Sequence, residues 1–203
     1  PVVTPHVGAN ELYGILVEAV ASAQEESSLA VWEEPAAEAD PRSALLAVWG
    51  PSGGPGRTLV ASNVAWELAR AGCETLLVDA DTVGPCLSQV LGVIDDVPGL
   101  VSACRAVLKG TMTGDTFASL TPYVAEHLRL MSGIGVPSRW SELHTSALDR
   151  VLKDARACAD AVVVDMASPL EASDATAPGR ERNGAGLTVL ENATHVLAVV
   201  NAD

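Results

Sequence analysis

The sequence predicts an α/β fold: a doubly wound, mostly parallel sheet between two layers of helices. Three observations predict it. Five apolar runs alternate with helix-patterned stretches along the 203 residues. The runs are dominated by Ala, Val and Leu, in a chain that is 48% hydrophobic but only 3% aromatic. That is the composition of strands buried on both faces. Finally, a glycine-rich loop, "GPSGGPGRT" at 50–58, separates the first apolar run from the first amphipathic stretch.

Residues 1–23 read as a short strand, "PVV", followed by a turn and a helix with Asn10 as its cap. Leu12, Ile15, Leu16, Ala19 and Val20 share one face of that helix. Residues 24–43 carry six acidic residues before the first base, Arg42, and show no periodicity. They read as an acidic linker. The domain proper is expected from 44 to 203, with strands at 44–49, 75–80, 128–132, 161–166 and 195–200.

Two helices stand out between the strands. One runs from Thr58 to Ala71, with Val60, Val64 and Leu68 on its apolar stripe and Gly72 as its stop. The other covers Ala147 to Ala159, with Ser146 and Asp149 as a capping-box-like start. Ligands of such a sheet bind beyond the carboxyl ends of its strands.

A phosphate loop works because curled backbone N–H groups meet the positive end of a helix. Gly53, Gly54 and Gly56 permit the curl, and Arg57 and Thr58 follow with a charge and a hydroxyl. The second strand exits through "VDAD", with Asp79 and Asp81, and the fourth ends in "VVVDM", with Asp165. Carboxylates at those tips hold Mg²⁺ or orient an attacking water.

On these residues the chain resembles the MinD/ParA-type P-loop ATPases. Their loop reads K-G-G-x-G-K-[ST], followed by an Asp-x-Asp and a later Walker-B Asp. The mix of "GPGRT", "LLVDADTVG", "SRWSEL" at 138–143 and the N-terminal piece is similar to the CpaE-like branch, which includes pilus-assembly and septum-site-determining proteins. There "VVTPHVGANELYGILVEAV" resembles the end of a receiver domain without its lysine, Thr4-Pro5 standing where a lysine-proline pair would be; a plain connecting helix is the alternative.

The resemblance implies a P-loop NTPase-like three-layer fold that binds ATP or ADP with Mg²⁺. It assigns Gly53, Gly54, Gly56, Arg57, Thr58 and Asn201 to the nucleotide, and Thr58, Asp79 and Asp165 to the metal. Asp81 would position the water. It also implies a cytoplasmic homodimer with protein partners from a localisation or secretion system.

The departures from the family motif bear on catalysis. Ser52 stands where the family has a lysine that reaches the partner's phosphates. Arg57 replaces the second lysine, a swap that is not conservative. Pro55 removes a backbone donor. These changes predict a regulatory nucleotide binder with weak or absent ATPase activity. An active ATPase and a nucleotide-free scaffold are the alternatives.

The remaining features exclude more than they assign. A formal charge of -14 opposes nucleic acid and anionic lipid. No apolar run reaches the roughly 18 residues that span a bilayer. The four cysteines, Cys73, Cys86, Cys104 and Cys158, lack metal-type spacing, and three of them lie in or beside apolar stretches and read as core residues of a reducing compartment. Arg180 and Arg182 fall in the polar stretch 167–186, at the place of a switch. Trp66 lies off its helix's apolar stripe, as an interface candidate or a side chain partly buried under a loop. Opening at Pro1 rather than Met, the chain reads as an excised fragment.

Overall fold

A computed structural model describes residues 43–51, 56–93, 97–168, 170 and 183–200. The segment 1–23, the linker to residue 42, Ser52, Gly53, Gly54, Pro55, Arg180, Arg182 and Asn201 lie outside the described residues.

The packed part begins at Ser43, which is buried and donates its hydroxyl to Ala159 O at 2.7 Å. Six strands form one sheet: β1 (Ala44–Trp49), β2 (Thr75–Ala80), β3 (Tyr123–Ala125), β4 (Leu128–Met131), β5 (Ala161–Met166) and β6 (His195–Ala198). Their order across the sheet is β3-β4-β2-β5-β1-β6. Every pairing is parallel except β3 with β4. The expected fold class is therefore the observed one. β4 and β6 stop at Met131 and Ala198, short of the predicted ends. β3 went unforeseen because three half-exposed residues, Tyr-Val-Ala, leave no periodic signature.

Every residue of β2 and β5 is buried, since helices cover both faces. On one face Leu46, Val48, Leu77 and Val163 meet α1 (Arg57–Arg70). On the other, Leu45, Leu76, Val78 and Val164 meet α3 (Gly99–Leu108), α5 (Thr145–Ala157) and α6 (Gly184–Asn192). The chain-order series is completed by the short helices α2 (Leu87–Val90) and α4 (Gly114–Ser119) and a 3-10 turn at Pro137–Glu142.

The apolar stripe of α1 is rotated by one position from the expected one. Ala61, Ala65, Leu68 and Ala69 are buried, while Val60 and Val64 are only partly so. Alanines facing the sheet let the helix axis come close, which the bulkier valines would prevent. Gly72 ends the helix as expected, at φ 91°, and Cys73 N donates to Leu68 O at 3.2 Å.

The predicted cap of α5 is corrected. That helix starts at Thr145, two residues early, with His144 at the N-cap and no side-chain cap bond. Asp149 is instead occupied by Lys153 Nζ at 2.8 Å and Asn192 Nδ2 at 3.1 Å. An i,i+4 ion pair and a tie to α6 have displaced the capping role. No described helix is long and apolar enough to cross a membrane.

Candidate functional site: the carboxyl edge of β1, β5 and β2

Parallel pairing brings the site residues to one edge of the sheet. Asp165 near the end of β5 pairs in register with Asp79 of β2 on one side and Val48 of β1 on the other. Adjacent strands lie about 4.8 Å apart, so the two aspartates are neighbours. The loop leaving β1 re-enters α1 at Gly56, whose φ of 102° lies in the left-handed region. Glycine alone takes that conformation without strain. Val60 N donates to Gly56 O at 2.8 Å, closing the first helical turn over Arg57 and Thr58.

Asp165 is 1% exposed, and neither carboxylate oxygen has a hydrogen-bond partner among the described residues. Burial, and then the charge of Asp81, push its pKa up to about 6. The Thr58 hydroxyl and the Arg57 guanidinium offset this in part, although no bond of normal geometry joins Thr58 to the carboxylate. An ionisable side chain buried without a partner is costly unless a cation or water completes it.

Asp79 is also buried, at 2% exposure, but its bonds are made. Oδ2 accepts from Leu87 N at 3.0 Å and Oδ1 from Asp81 N at 3.2 Å. Burial and the nearby Asp165 raise its pKa to about 7, against those two N–H bonds. Its side chain packs directly on Gly133, where an added Cβ would lie 3.0 Å from the carboxyl carbon.

Asp81 Oδ1 accepts from Val83 N at 2.7 Å and Gly84 N at 2.8 Å, fixing the turn after β2. Its Oδ2 lies 3.8 Å from Arg57 Nη2. The other guanidinium nitrogen, Arg57 Nη1, donates to Gly50 O at 3.4 Å and Met166 O at 3.3 Å. Arg57 therefore bridges the exits of β1, β5 and β2. Thr58 Oγ1 receives a 3.7 Å contact from Cys86 Sγ, a neighbour the sequence reading did not place at the site. Its only sequence signal was its position, five residues beyond Asp81.

Magnesium fits this donor set on one observation, the orphaned carboxylate of Asp165 beside the Thr58 hydroxyl. No three His, Cys, Asp or Glu side chains among the described residues could hold a metal alone. That matches how Mg²⁺ binds at nucleotide sites, through one or two protein groups, phosphate oxygens and water.

A parallel crossover sheet whose first strand leads through a glycine-rich segment into a helix, with a carboxylate at the neighbouring strand tip, is the architecture of the P-loop NTPase fold. Residues 42–139 match the ParA family model, described as NUBPL iron-transfer P-loop NTPase. No curated protein matches the chain. Three of the solved structures that share the fold illustrate the likeness. The septum site-determining protein MinD complexed with Mg-ADP from Pyrococcus horikoshii is 20% identical at a TM-score of 0.60, covering 79% of this chain and 59% of that one. A ParA family ATPase from Chlorobium tepidum is 15% identical at a TM-score of 0.64, covering 77% and 60%. Cobyrinic acid a,c-diamide synthase from Mycobacterium smegmatis, with bound ADP and magnesium, is 22% identical at a TM-score of 0.57, covering 78% and 59%. The chain thus spans about three fifths of these proteins' length. The chain has the P-loop NTPase fold, and in its matched stretch it is similar to the MinD/ParA-type members of that fold.

Proposed function

We propose that this protein binds ATP or ADP with Mg²⁺ at the 50–58 loop and hydrolyses it slowly or not at all, acting as a nucleotide-dependent regulatory partner. The observation that carries this reading is the placement of Arg57. Its guanidinium is held by two backbone carbonyls and faces Asp81. A phosphate arriving at the loop has to compete with those contacts. Phosphoryl transfer depends almost wholly on positioning and charge stabilisation, so a cation already engaged with protein groups lowers turnover more than binding.

When bound, Mg²⁺ supplies neutralisation of the phosphate charge. Thr58 and Asp165 are the residues that would hold it, Asp165 having no other partner among the described residues. Gly56, with Gly53 and Gly54, would shape the backbone around the phosphates. Asn201 would face the base. Asp81 would orient the attacking water, and its contact with Arg57 restrains it from doing so. Asp79, proposed from sequence as a further metal ligand, carries one backbone bond on each oxygen, which fix the turn to α2 and leave acceptor positions over.

In this reading residues 44–203 form the nucleotide domain, after a receiver-like or connecting piece at 1–23 and an acidic linker at 24–43. The protein would work as a homodimer with protein partners, in assembling pilus or secretion machinery or marking the division site, in the cytoplasm. An Arg57→Lys variant tests the central point. It should raise the single-turnover rate of ATP hydrolysis by about tenfold or more, with nucleotide affinity little changed. Wild-type turnover that is already rapid and is unaffected by this substitution would contradict the reading.

A further inference from the structure

At the same edge, two strands along the sheet from β1, a cavity of about 220 Å³ opens between the ends of β2 and β4. Counting about 30 Å³ per water, it has room for about seven waters or an organic molecule of that bulk. Its lining includes Asp79, Cys86, Ser88 and Gln89, with Pro85 and Pro98 as apolar walls. Among the described residues, no lysine, arginine or histidine lines it.

That lining selects a ligand by charge. Asp79 supplies a carboxyl group that a bound cation would keep ionised, and Asp81 and Asp165 add their negative fields. An anion is repelled, so this is not an extension of the phosphate site. Asp79 uses one acceptor position on each oxygen for Leu87 N and Asp81 N. A carboxylate offers about four such positions, so about two remain for N–H groups of a ligand. The hydroxyl of Ser88 and the amide of Gln89 add hydrogen bonding from α2, and the prolines enclose an apolar stem. We propose that this cavity is a second binding site, for a small organic cation, an amine or guanidine on a short aliphatic chain, with its N–H groups on Asp79. Through Asp79, whose backbone bonds fix the entry to α2, such a ligand is coupled to Cys86 and so to Thr58 of the phosphate loop.

The test uses Cys86, which lines the cavity, as reporter. The protein is alkylated with N-ethylmaleimide without nucleotide, with agmatine or with glutarate at matched ionic strength, and labelling is read residue by residue by mass spectrometry. At ten times its half-protecting concentration agmatine should slow Cys86 labelling about tenfold, while glutarate leaves it unchanged. Gln89→Trp, an exposed position on α2 whose bulk would fill the mouth, should abolish protection while keeping the wild-type melting temperature. Equal labelling with and without agmatine, equal protection by glutarate, or protection that survives Gln89→Trp would each overturn the proposal. No nucleotide is needed, so the result is independent of the function proposed above.

Discussion

Asp165→Asn should make the protein more stable relative to wild type as pH rises, and the size of the effect follows from the site. The folded protein holds this carboxyl at about 6, against 3.8 for an ordinary aspartate, because it is buried beside Asp81 with no hydrogen-bond partner among the described residues. A raised carboxyl pKa means that the native state binds the proton more tightly than the unfolded chain. Wild-type stability therefore falls as pH climbs from about 3.8 through about 6, and the full penalty stands above that. At about 1.4 kcal/mol per pH unit, the penalty is about 3 kcal/mol. Asparagine carries no charge at any pH, so its stability relative to wild type should gain up to about that amount between pH 3.5 and 7. The uncompensated amide costs about 1–3 kcal/mol at every pH, which shifts the curve without changing its slope. Asp79 titrates with Asp165 and shares part of the amplitude. Urea unfolding of both proteins across this range measures the difference. A stability gap that stays flat with pH would refute the claim that Asp165 is an uncompensated buried charge.

Three further outcomes follow from the same coordinates. Gly133→Ala should destabilise the fold by about 1–3 kcal/mol, read as a lowered melting temperature, because its Cβ would lie 3.0 Å from Asp79. The His127 imidazole, bonded through Nδ1 to Glu74 Oε1 at 2.5 Å, should titrate above 6.5 by NMR, and Glu74→Gln should bring it down. Burial pushes Glu74 up, but the bonds from His127 and Tyr123 together outweigh it and leave it lowered. The pair's contribution should fade as pH rises through the raised pKa of His127, and again as pH falls through the lowered pKa of Glu74. Among the thiols, Cys86 should alkylate well before Cys104, which is fully buried and pushed up to about 12.

Much of this architecture is legible in the sequence, for physical reasons. A parallel sheet buried on both faces needs continuous apolar runs, and "ALLAVW", "TLLVDA" and "AVVVDM" mark β1, β2 and β5 to the residue. Those strands carry the aspartates to one edge, so Asp79 and Asp165 emerge as neighbours. Other features depend on tertiary choices with no local signature. The stripe of α1 turned because alanines pack closer to the sheet than valines. His144 rather than a hydroxyl began α5, because Asp149 was engaged by Lys153 and Asn192. The different duties of the three aspartates, one orphaned, one bonded to backbone and one facing Arg57, depend on the side-chain environment and not on spacing.

Calorimetric titration of the protein with ATP, in Mg²⁺ and then in EDTA, followed by phosphate release from the same sample, tests the central claim most directly. The account predicts binding that magnesium strengthens and Thr58→Ala weakens, with turnover far below one per second. No heat of binding in either buffer, or rapid release of phosphate, would contradict it.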